Sequence, residues 1–197
     1  FDLDPLEEHI IHMKKEYNIG YLQIQDENFG TDKKRTYEMA RIFKKHDILW
    51  FAGGVRVTGM TYEDLKFYKE HNMVYINFGI ETGSQKILDI MEKKNTTESI
   101  YNAVSNCKKL GISTFPFGFL FGMPGETEKT VKETAEFRAL LSFLLEKDWN
   151  VNIAPFLAMA IPGTPLYEYC QQIQAIGKSL DEEEDYLIRL SEFDNQR

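Results

Sequence analysis

The sequence predicts an α/β protein built as a partial parallel barrel of about five strands. Five apolar runs of strand length each end in a polar or glycine-rich turn, and a helical stretch follows. Strands that alternate with helices imply right-handed crossovers and a parallel sheet. A closed eight-stranded barrel typically needs about 250 residues, and this chain has 197. A partial barrel is therefore favoured, and an open doubly wound sheet is the alternative.

Helical spacing of Leu6, Ile10 and Met13 predicts an opening helix that ends near Tyr17 and is closed by Gly20. Each predicted strand is rich in apolar or β-branched residues, and the five are Tyr21–Gln25, Ile48–Val57, Met73–Ile80, Ile112–Phe121 and Trp149–Leu157. The turns after these strands hold polar residues, and the fold would bring these residues together at one end of the barrel, where the carboxyl ends of the strands meet.

Local signals mark the helices between the strands. Either Thr31 or Asp32 caps the second helix, and Thr61 opens the third. Asn95 and Glu98 are predicted as the capping box of a long helix that Gly111 closes. After Pro165 the pattern weakens, and the acidic run 181–185 is interpreted as a solvated helix start, because negative charge is favourable there. We expect a core domain at 1–167 and a C-terminal helical extension at 168–197.

Composition argues against several classes of protein. The net charge of −8, from 31 acidic and 23 basic side chains, disfavours nucleic-acid binding. No apolar stretch approaches the roughly 20 residues of a membrane span, and no secretory leader opens the sequence, so we expect a cytoplasmic protein without a membrane anchor. Cys107 lies on an apolar helical stripe and is predicted to be core. His9 and His12 are assigned to a solvated helix face, and no metal ligand is predicted.

The exit turns carry the candidate binding residues. They supply carboxylates, an amide, a guanidinium, a hydroxyl and glycines: Asp26, Glu27, Asn28, Arg56, Glu81, Ser84, Gly122 and Gly125. A guanidinium can grip a carboxylate while carboxylates and amides hold an ammonium or hydroxyls, so this set suits a zwitterionic ligand. The alternative is that these residues serve turn conformation alone and that Arg56 forms a surface ion pair. The Gly122–Glu126 turn is followed by no Lys-Ser or Lys-Thr pair, so a P-loop is not indicated.

Four motifs in this order resemble the radical S-adenosylmethionine (SAM) superfamily. They are Asp26-Glu27-Asn28-Phe29, Gly79-Ile80-Glu81-Thr82-Gly83-Ser84-Gln85, the run from Gly118 to Thr127, and Pro162-Gly163-Thr164-Pro165-Leu166-Tyr167. The likeness runs from about Tyr21 to Tyr167. Within the superfamily, the sequence most resembles the branch that often carries a cobalamin-binding domain. That branch includes enzymes similar to the anaerobic magnesium-protoporphyrin ester cyclase.

The resemblance implies a partial barrel in which a four-iron four-sulfur cluster binds SAM and cleaves it reductively to a 5′-deoxyadenosyl radical. It places Asp26, Glu27 and Asn28 near the methionine amino group. It places Arg56, Glu81 and Ser84 near the carboxylate and ribose, and Gly118, Gly122 and Met123 beside adenine. No catalytic residue is assigned. A small-molecule substrate and an electron donor such as flavodoxin or ferredoxin are implied partners, and cobalamin is an optional cofactor.

The sequence departs from the family at the metal site. The Cys-x3-Cys-x2-Cys loop is absent, and Cys107 and Cys170 alone cannot replace three thiolates. We expect the missing loop and the first strand to precede Phe1 in a longer enzyme, and this piece alone to be inactive. A natural cluster-free barrel that acts as a binding or scaffold module is the second hypothesis. A barrel lyase or aldolase is a distant third, because no strand end offers a lysine nucleophile or a histidine base.

Overall fold

The computed structural model describes residues 3–26, 28–115, 118–146 and 156–195. Helices and strands alternate along most of the chain. The helices are α1 (Asp4–Tyr17), α2 (Lys33–Lys45), α3 (Tyr62–Glu70), α4 (Gln85–Ile90), α5 (Thr97–Leu110), α6 (Glu128–Leu145), α7 (Pro165–Gln172) and α8 (Leu180–Asn195). The strands are β1 (Tyr21–Gln25), β2 (Leu49–Val55), β3 (Met73–Phe78), β4 (Ser113–Thr114), β5 (Leu120–Phe121) and β6 (Phe156–Leu157).

The strands follow one another in space in the same order as in the chain. β1 to β4 form a parallel sheet in the order β1-β2-β3-β4, and β5 pairs in parallel with β6. A parallel bridge between Glu81 and Phe119 joins the two sheets. A doubly wound sheet reverses its strand order at a switch point, and these strands do not. The prediction of a partial parallel barrel is therefore confirmed.

Two predicted strands differ from the observed ones by more than their end residues. In the described part of the run 112–121 there are two short strands, β4 and β5, in place of one. Gly118 lies between them with φ of +82°, which an extended strand cannot accommodate. The predicted strand Trp149–Leu157 is described only at its end, as β6, because residues 147–155 lie outside the described ranges.

The predicted helix signals hold with two corrections. The side chains of Asp32 and Thr61 cap α2 and α3, as expected, and Gly111 ends α5 with φ of +66°. The capping box of α5 is formed by Thr96 and Ser99, so its assignment to Asn95 and Glu98 is wrong. Helix α1 ends before Gly20 is reached, because Asn18 already adopts the left-handed conformation.

The main hydrophobic core lies between the sheet and the helices. Phe29, Phe43, Trp50 and Tyr68 form an aromatic group with ring centroids 5.5–5.8 Å apart. Cys107 is fully buried in this core, which confirms its predicted role. Burial of these large rings provides much of the apolar stabilisation of the fold.

A second, smaller core holds the C-terminal helices. It consists of Ala160, Tyr167 and Ile176, and the Tyr186 hydroxyl donates to the Ala160 carbonyl at 2.7 Å. The domain boundary predicted after residue 167 falls within helix α7. The division into a core domain and a helical extension stays a prediction. Across the described ranges, the helices lack the length and apolar character needed to cross a bilayer.

Candidate functional site

The ends of β2 and β3 open onto one cavity. Its volume is about 570 Å³, and its lining includes Arg56 after β2, Glu81 after β3, and the segment from Met91 to Asn95 after α4. A volume of this size is typical of small-molecule sites. Arg56 is exposed and has no salt-bridge partner among the described residues, so the structure does not support the alternative that it serves a surface ion pair.

Glu81 is the most constrained of the predicted site residues. Its φ of +65° is unusual for a non-glycine residue. The Glu81 carbonyl accepts a hydrogen bond from the Leu120 backbone N–H at 2.7 Å, and its carboxylate accepts one from Lys93 Nζ at 2.8 Å. A Cβ at Gly79 would lie 3.1 Å from Glu81 Oε1, so the glycine leaves room for this carboxylate. The strand end therefore holds Glu81 at the cavity wall.

Lys93 is a site residue that sequence reasoning missed. It lines the same cavity as Arg56 and pairs with Glu81. Its neighbours Glu92 and Lys94 have φ of +54° and +52°. Together with Glu81, they make three non-glycine residues in the left-handed conformation that line one cavity. Backbone strain of this kind concentrates at functional sites. No spacing rule marks Lys93, since its side chain meets Glu81 only through the tertiary structure.

The turn after Glu81 is clamped against α6. Thr82 and Thr134 are hydrogen-bonded through their hydroxyls at 2.9 Å, and the Gly83 N–H donates to Thr134 Oγ1 at 3.2 Å. Ser84 is fully buried, and its hydroxyl donates to Glu133 Oε2 at 2.5 Å. Ser84 thus faces α6, and its predicted contact with a ligand stays a prediction.

The turn after β1 borders a different cavity. Asp26 and Asn28 line a space of about 570 Å³ beside α1 and the start of α2. Asp26 Oδ1 accepts from the Asn28 N–H at 2.8 Å, which is the turn-forming role that the sequence left open. Glu27 lies outside the described residues. The residues predicted to form one binding site therefore line two cavities, one at the end of β1 and one at the ends of β2 and β3.

The glycine-rich edge lies at β5. Gly118 and Gly122 have φ of +82° and +89°, and no atom lies within 4 Å of the position that a Cβ would take at either. The Gly122 N–H donates to Glu126 Oε2 at 2.7 Å, and Met123 is half-buried beside it. Open space along exposed backbone is what a flat ring needs to approach.

The described residues do not fit an iron–sulfur cluster. They contain no group of three or more His, Cys, Asp or Glu side chains that could hold a metal ion. Burial raises the pKa of the Cys107 thiol to about 12, so it does not supply a thiolate. Cys170 lies on α7 and is the other free cysteine.

Comparison with known proteins assigns the fold to a family. The sequence profile of the radical SAM superfamily matches residues 2–138, which is more than half of the chain. The chain belongs to the radical SAM superfamily. The resemblance stated from the sequence motifs is therefore confirmed.

The curated relatives of this radical SAM chain include two methyltransferases and a cyclase. It is 32% identical over 157 residues to an uncharacterized methyltransferase of Pyrococcus horikoshii, covering 78% of this chain and 32% of the relative. It is 25% identical to the cytidylyl-2-hydroxyethylphosphonate methyltransferase of Streptomyces wedmorensis, covering 82% and 30%. It is 26% identical to the anaerobic magnesium-protoporphyrin IX monomethyl ester cyclase of Rubrivivax gelatinosus, covering 71% and 24%. The chain thus spans about a third or less of the length of these relatives.

Solved structures share the fold of this radical SAM chain. The cobalamin-dependent S-adenosylmethionine radical enzyme OxsB superposes with a TM-score of 0.68 at 15% identity, covering 92% of this chain and 33% of OxsB. The radical SAM methyltransferase TsrM of Kitasatospora setae superposes with a TM-score of 0.59 at 18% identity, covering 71% and 26%. At these identities the likeness establishes the fold.

Proposed function

We propose that this chain forms the greater part of the core of a radical SAM enzyme and that its β2–β3 cavity binds SAM. The observation that carries the proposal is the joint lining of one cavity by Arg56, Glu81 and Lys93, at the carboxyl ends of neighbouring strands. Ligands of parallel α/β folds bind at these strand ends. Family membership supplies the identity of the ligand.

The side chains of the cavity match the groups of SAM. Arg56 and Lys93 supply cationic donors for its carboxylate, and Glu81 supplies an acceptor for its ammonium or ribose hydroxyls. Asp26, Glu27 and Asn28 remain candidates for the amino group, and Ser84 for a ribose contact. The open backbone at Gly118, Gly122 and Met123 is the proposed edge for adenine.

The metal chemistry requires groups beyond the described residues. We propose that a parent enzyme supplies three cysteines for a four-iron four-sulfur cluster, where SAM is reductively cleaved to a 5′-deoxyadenosyl radical. The described residues do not fit this cluster, so the role proposed for them is confined to holding SAM. The names of two relatives support methyl transfer, and those of two solved structures support cobalamin. A small-molecule substrate is part of the proposal. A flavodoxin- or ferredoxin-like electron donor and a cytoplasmic location complete the proposal.

Binding of SAM to the 197-residue chain tests the proposal. We expect isothermal titration calorimetry to detect SAM, and Glu81→Gln and Arg56→Ala each to weaken binding about tenfold, as loss of a charge-assisted hydrogen bond does. Glu136→Gln is the matched control, because Glu136 is exposed on α6 away from the cavity. Undetectable binding at millimolar SAM, or equal weakening by the control, would contradict the assignment.

A cluster-free binding module is the second candidate function. It is favoured by the lack of a three-ligand metal group among the described residues. Sequencing the coding region upstream of Phe1 separates the two candidates. A Cys-x3-Cys-x2-Cys loop within about 30 residues, roughly one strand and its loop, would support the enzyme, and an in-frame start codon without such cysteines would support the module.

A further inference from the structure

Asn95 is a buried polar residue with no hydrogen-bond partner for its side-chain oxygen. Its exposure is 5%, and Oδ1 accepts no hydrogen bond within the described parts of the chain. The large majority of buried polar groups in proteins are satisfied. An acceptor left in this state lowers stability, so its presence calls for a physical explanation.

The side chain of Asn95 has no role in helix capping. Thr96 and Ser99 already form the capping box of α5. The backbone around Asn95 is held by Gln85, whose Nε2 donates to the Asn95 carbonyl at 3.3 Å and whose Oε1 accepts from the Thr97 N–H at 3.2 Å. Gln85 therefore holds the main chain at the Asn95 carbonyl and at Thr97, while the carboxamide oxygen of Asn95 has no hydrogen-bond partner among the described residues.

This carboxamide lies at the wall of the β2–β3 cavity. Asn95 lines the same space as Arg56, Glu81 and Lys93. The Lys93 ammonium donates to Glu81 Oε1 at 2.8 Å, and Asn95 Oδ1 accepts no hydrogen bond from it. Asn95 is a lining residue of the cavity although its Oδ1 is covered, and a half-turn about the Cβ–Cγ bond exchanges the positions of Oδ1 and Nδ2.

We infer that Asn95 positions SAM by accepting a hydrogen bond from a hydroxyl or ammonium group of the ligand through Oδ1. The inference rests on the proposed function and adds a residue that the exit-turn motifs do not contain. The ligand donor satisfies an acceptor that the protein alone leaves unpaired. Asn95 thus lowers the stability of the free chain and raises its affinity for SAM, a trade-off common at binding sites.

Paired measurements of stability and binding test this inference. Asn95→Leu keeps the approximate side-chain volume and removes both polar atoms, and Asn95→Asp keeps an acceptor at the same place. Asn102→Leu is the matched control, since Asn102 is exposed on α5 and does not line the cavity. Each 197-residue variant is unfolded thermally without ligand and titrated with SAM by calorimetry.

We expect Asn95→Leu to raise the Tm of the free chain by about 2 to 4 °C and to weaken SAM binding about tenfold. Asn95→Asp retains binding within about threefold, because an acceptor remains, and Asn102→Leu changes neither quantity.

A lower Tm for Asn95→Leu would assign a structural role and overturn the inference. Unchanged SAM affinity in that variant would overturn it too and leave the proposed function intact, provided that Glu81→Gln still weakens binding. Failure of the unsubstituted chain to bind SAM at millimolar concentration would overturn both.

Discussion

The barrel region (residues 3–146) and the C-terminal region (residues 156–195) hold their shape by different means. The barrel region contains one continuous core that includes the fully buried Phe43, Trp50 and Tyr68. The core of the C-terminal region consists of Ala160, Tyr167 and Ile176. In the first region β1 to β3 are five to seven residues long and β4 and β5 have two residues each, whereas β6, which pairs with β5, is the one strand described in the second region.

Exposure of single large apolar side chains does not separate the two regions. Phe143 in the barrel region and Leu180 in the C-terminal region are both 84% exposed. The β2–β3 cavity is built by the barrel region, where Arg56 directly follows β2 and Glu81 follows β3. The proposed adenine edge differs from this cavity, because Gly122 borders a space of about 300 Å³ that is also lined by Cys170 of α7 and Tyr186 of α8.

The largest expected effect comes from removing a ring in each core. Phe43→Ala should lower the free energy of unfolding by about 3 to 5 kcal/mol, because a fully buried ring leaves a cavity. Tyr167→Ala should loosen α7 and α8 locally and leave the barrel region folded. Urea unfolding followed by circular dichroism, with amide hydrogen exchange, measures both. Equal loss of protection across the whole chain in the two variants would remove the distinction between the regions.

A smaller loss is expected at the clamp that holds the Glu81 turn. A Cβ at Gly83 would lie 2.5 Å from Phe137 Cβ and 2.9 Å from Thr134 Cα, and neither atom can swing away. Gly83→Ala should therefore lower the free energy of unfolding by about 3 kcal/mol. Gly20→Ala is the control, because nothing lies within 4 Å of that position. Equal free energies of unfolding for the two variants would contradict the close packing of Gly83 against α6.

A still smaller loss is expected at a buried carboxylate of the barrel region. Burial alone would raise the pKa of Asp64, but hydrogen bonds from Lys33, Tyr37 and Thr61 outweigh it and lower the pKa to about 2. A carboxylate with a lowered pKa stabilises the fold above its unfolded value of about 4 and loses this effect as pH falls towards 2. Asp64→Asn should lower the free energy of unfolding at pH 7 by about 2 kcal/mol.

Urea titrations of Asp64→Asn at pH 7 and about pH 2.5 check the sign, because the difference from the unsubstituted chain should shrink at the lower pH. Asp185→Asn is the counterpart in the C-terminal region, where the exposed pair with Arg189 should leave the unfolding midpoint unchanged. A constant Asp64→Asn difference across pH would show that its charge does not contribute.

The smallest expected effect is a difference in the reactivity of the two cysteine thiols, one in each region. Cys107 is fully buried in the barrel region, and burial raises its pKa to about 12. Cys170 is partly exposed in the C-terminal region. A disulfide reagent such as DTNB should modify one thiol in the native chain and the second only when urea unfolds it. Rapid reaction of both would mean that the barrel core opens as readily as the C-terminal helices.

Much of the barrel region could be predicted because its signals are local. The apolar runs at β1, β2 and β3 and the caps at Asp32 and Thr61 act within a few residues of their own positions. The division of 112–121 into two strands depends on a backbone angle at Gly118, and apolar content does not encode it. The choice of Thr96 over Asn95 as the cap of α5 was missed because both residues suit that position.

The candidate site was predictable only in part. The exit-turn rule found Arg56 and Glu81, since parallel strands bring their carboxyl ends together. It missed Lys93 and Asn95, which reach the cavity from the loop after α4. For Ser84 the sequence motif located the turn correctly, but it did not show that the hydroxyl donates to Glu133 on α6.

The sequence by itself determined the alternation of strands and helices and the resemblance to a family, because periodicity and turn motifs are properties of neighbouring residues. The order of the strands in space decided between a partial barrel and a doubly wound sheet. The tertiary structure decided which polar groups share a cavity, how Glu81 pairs with Lys93, and that Asn95 has no partner for its oxygen among the residues described. These outcomes depend on contacts between residues far apart in the chain. Such contacts follow from packing and burial, and no local pattern records them.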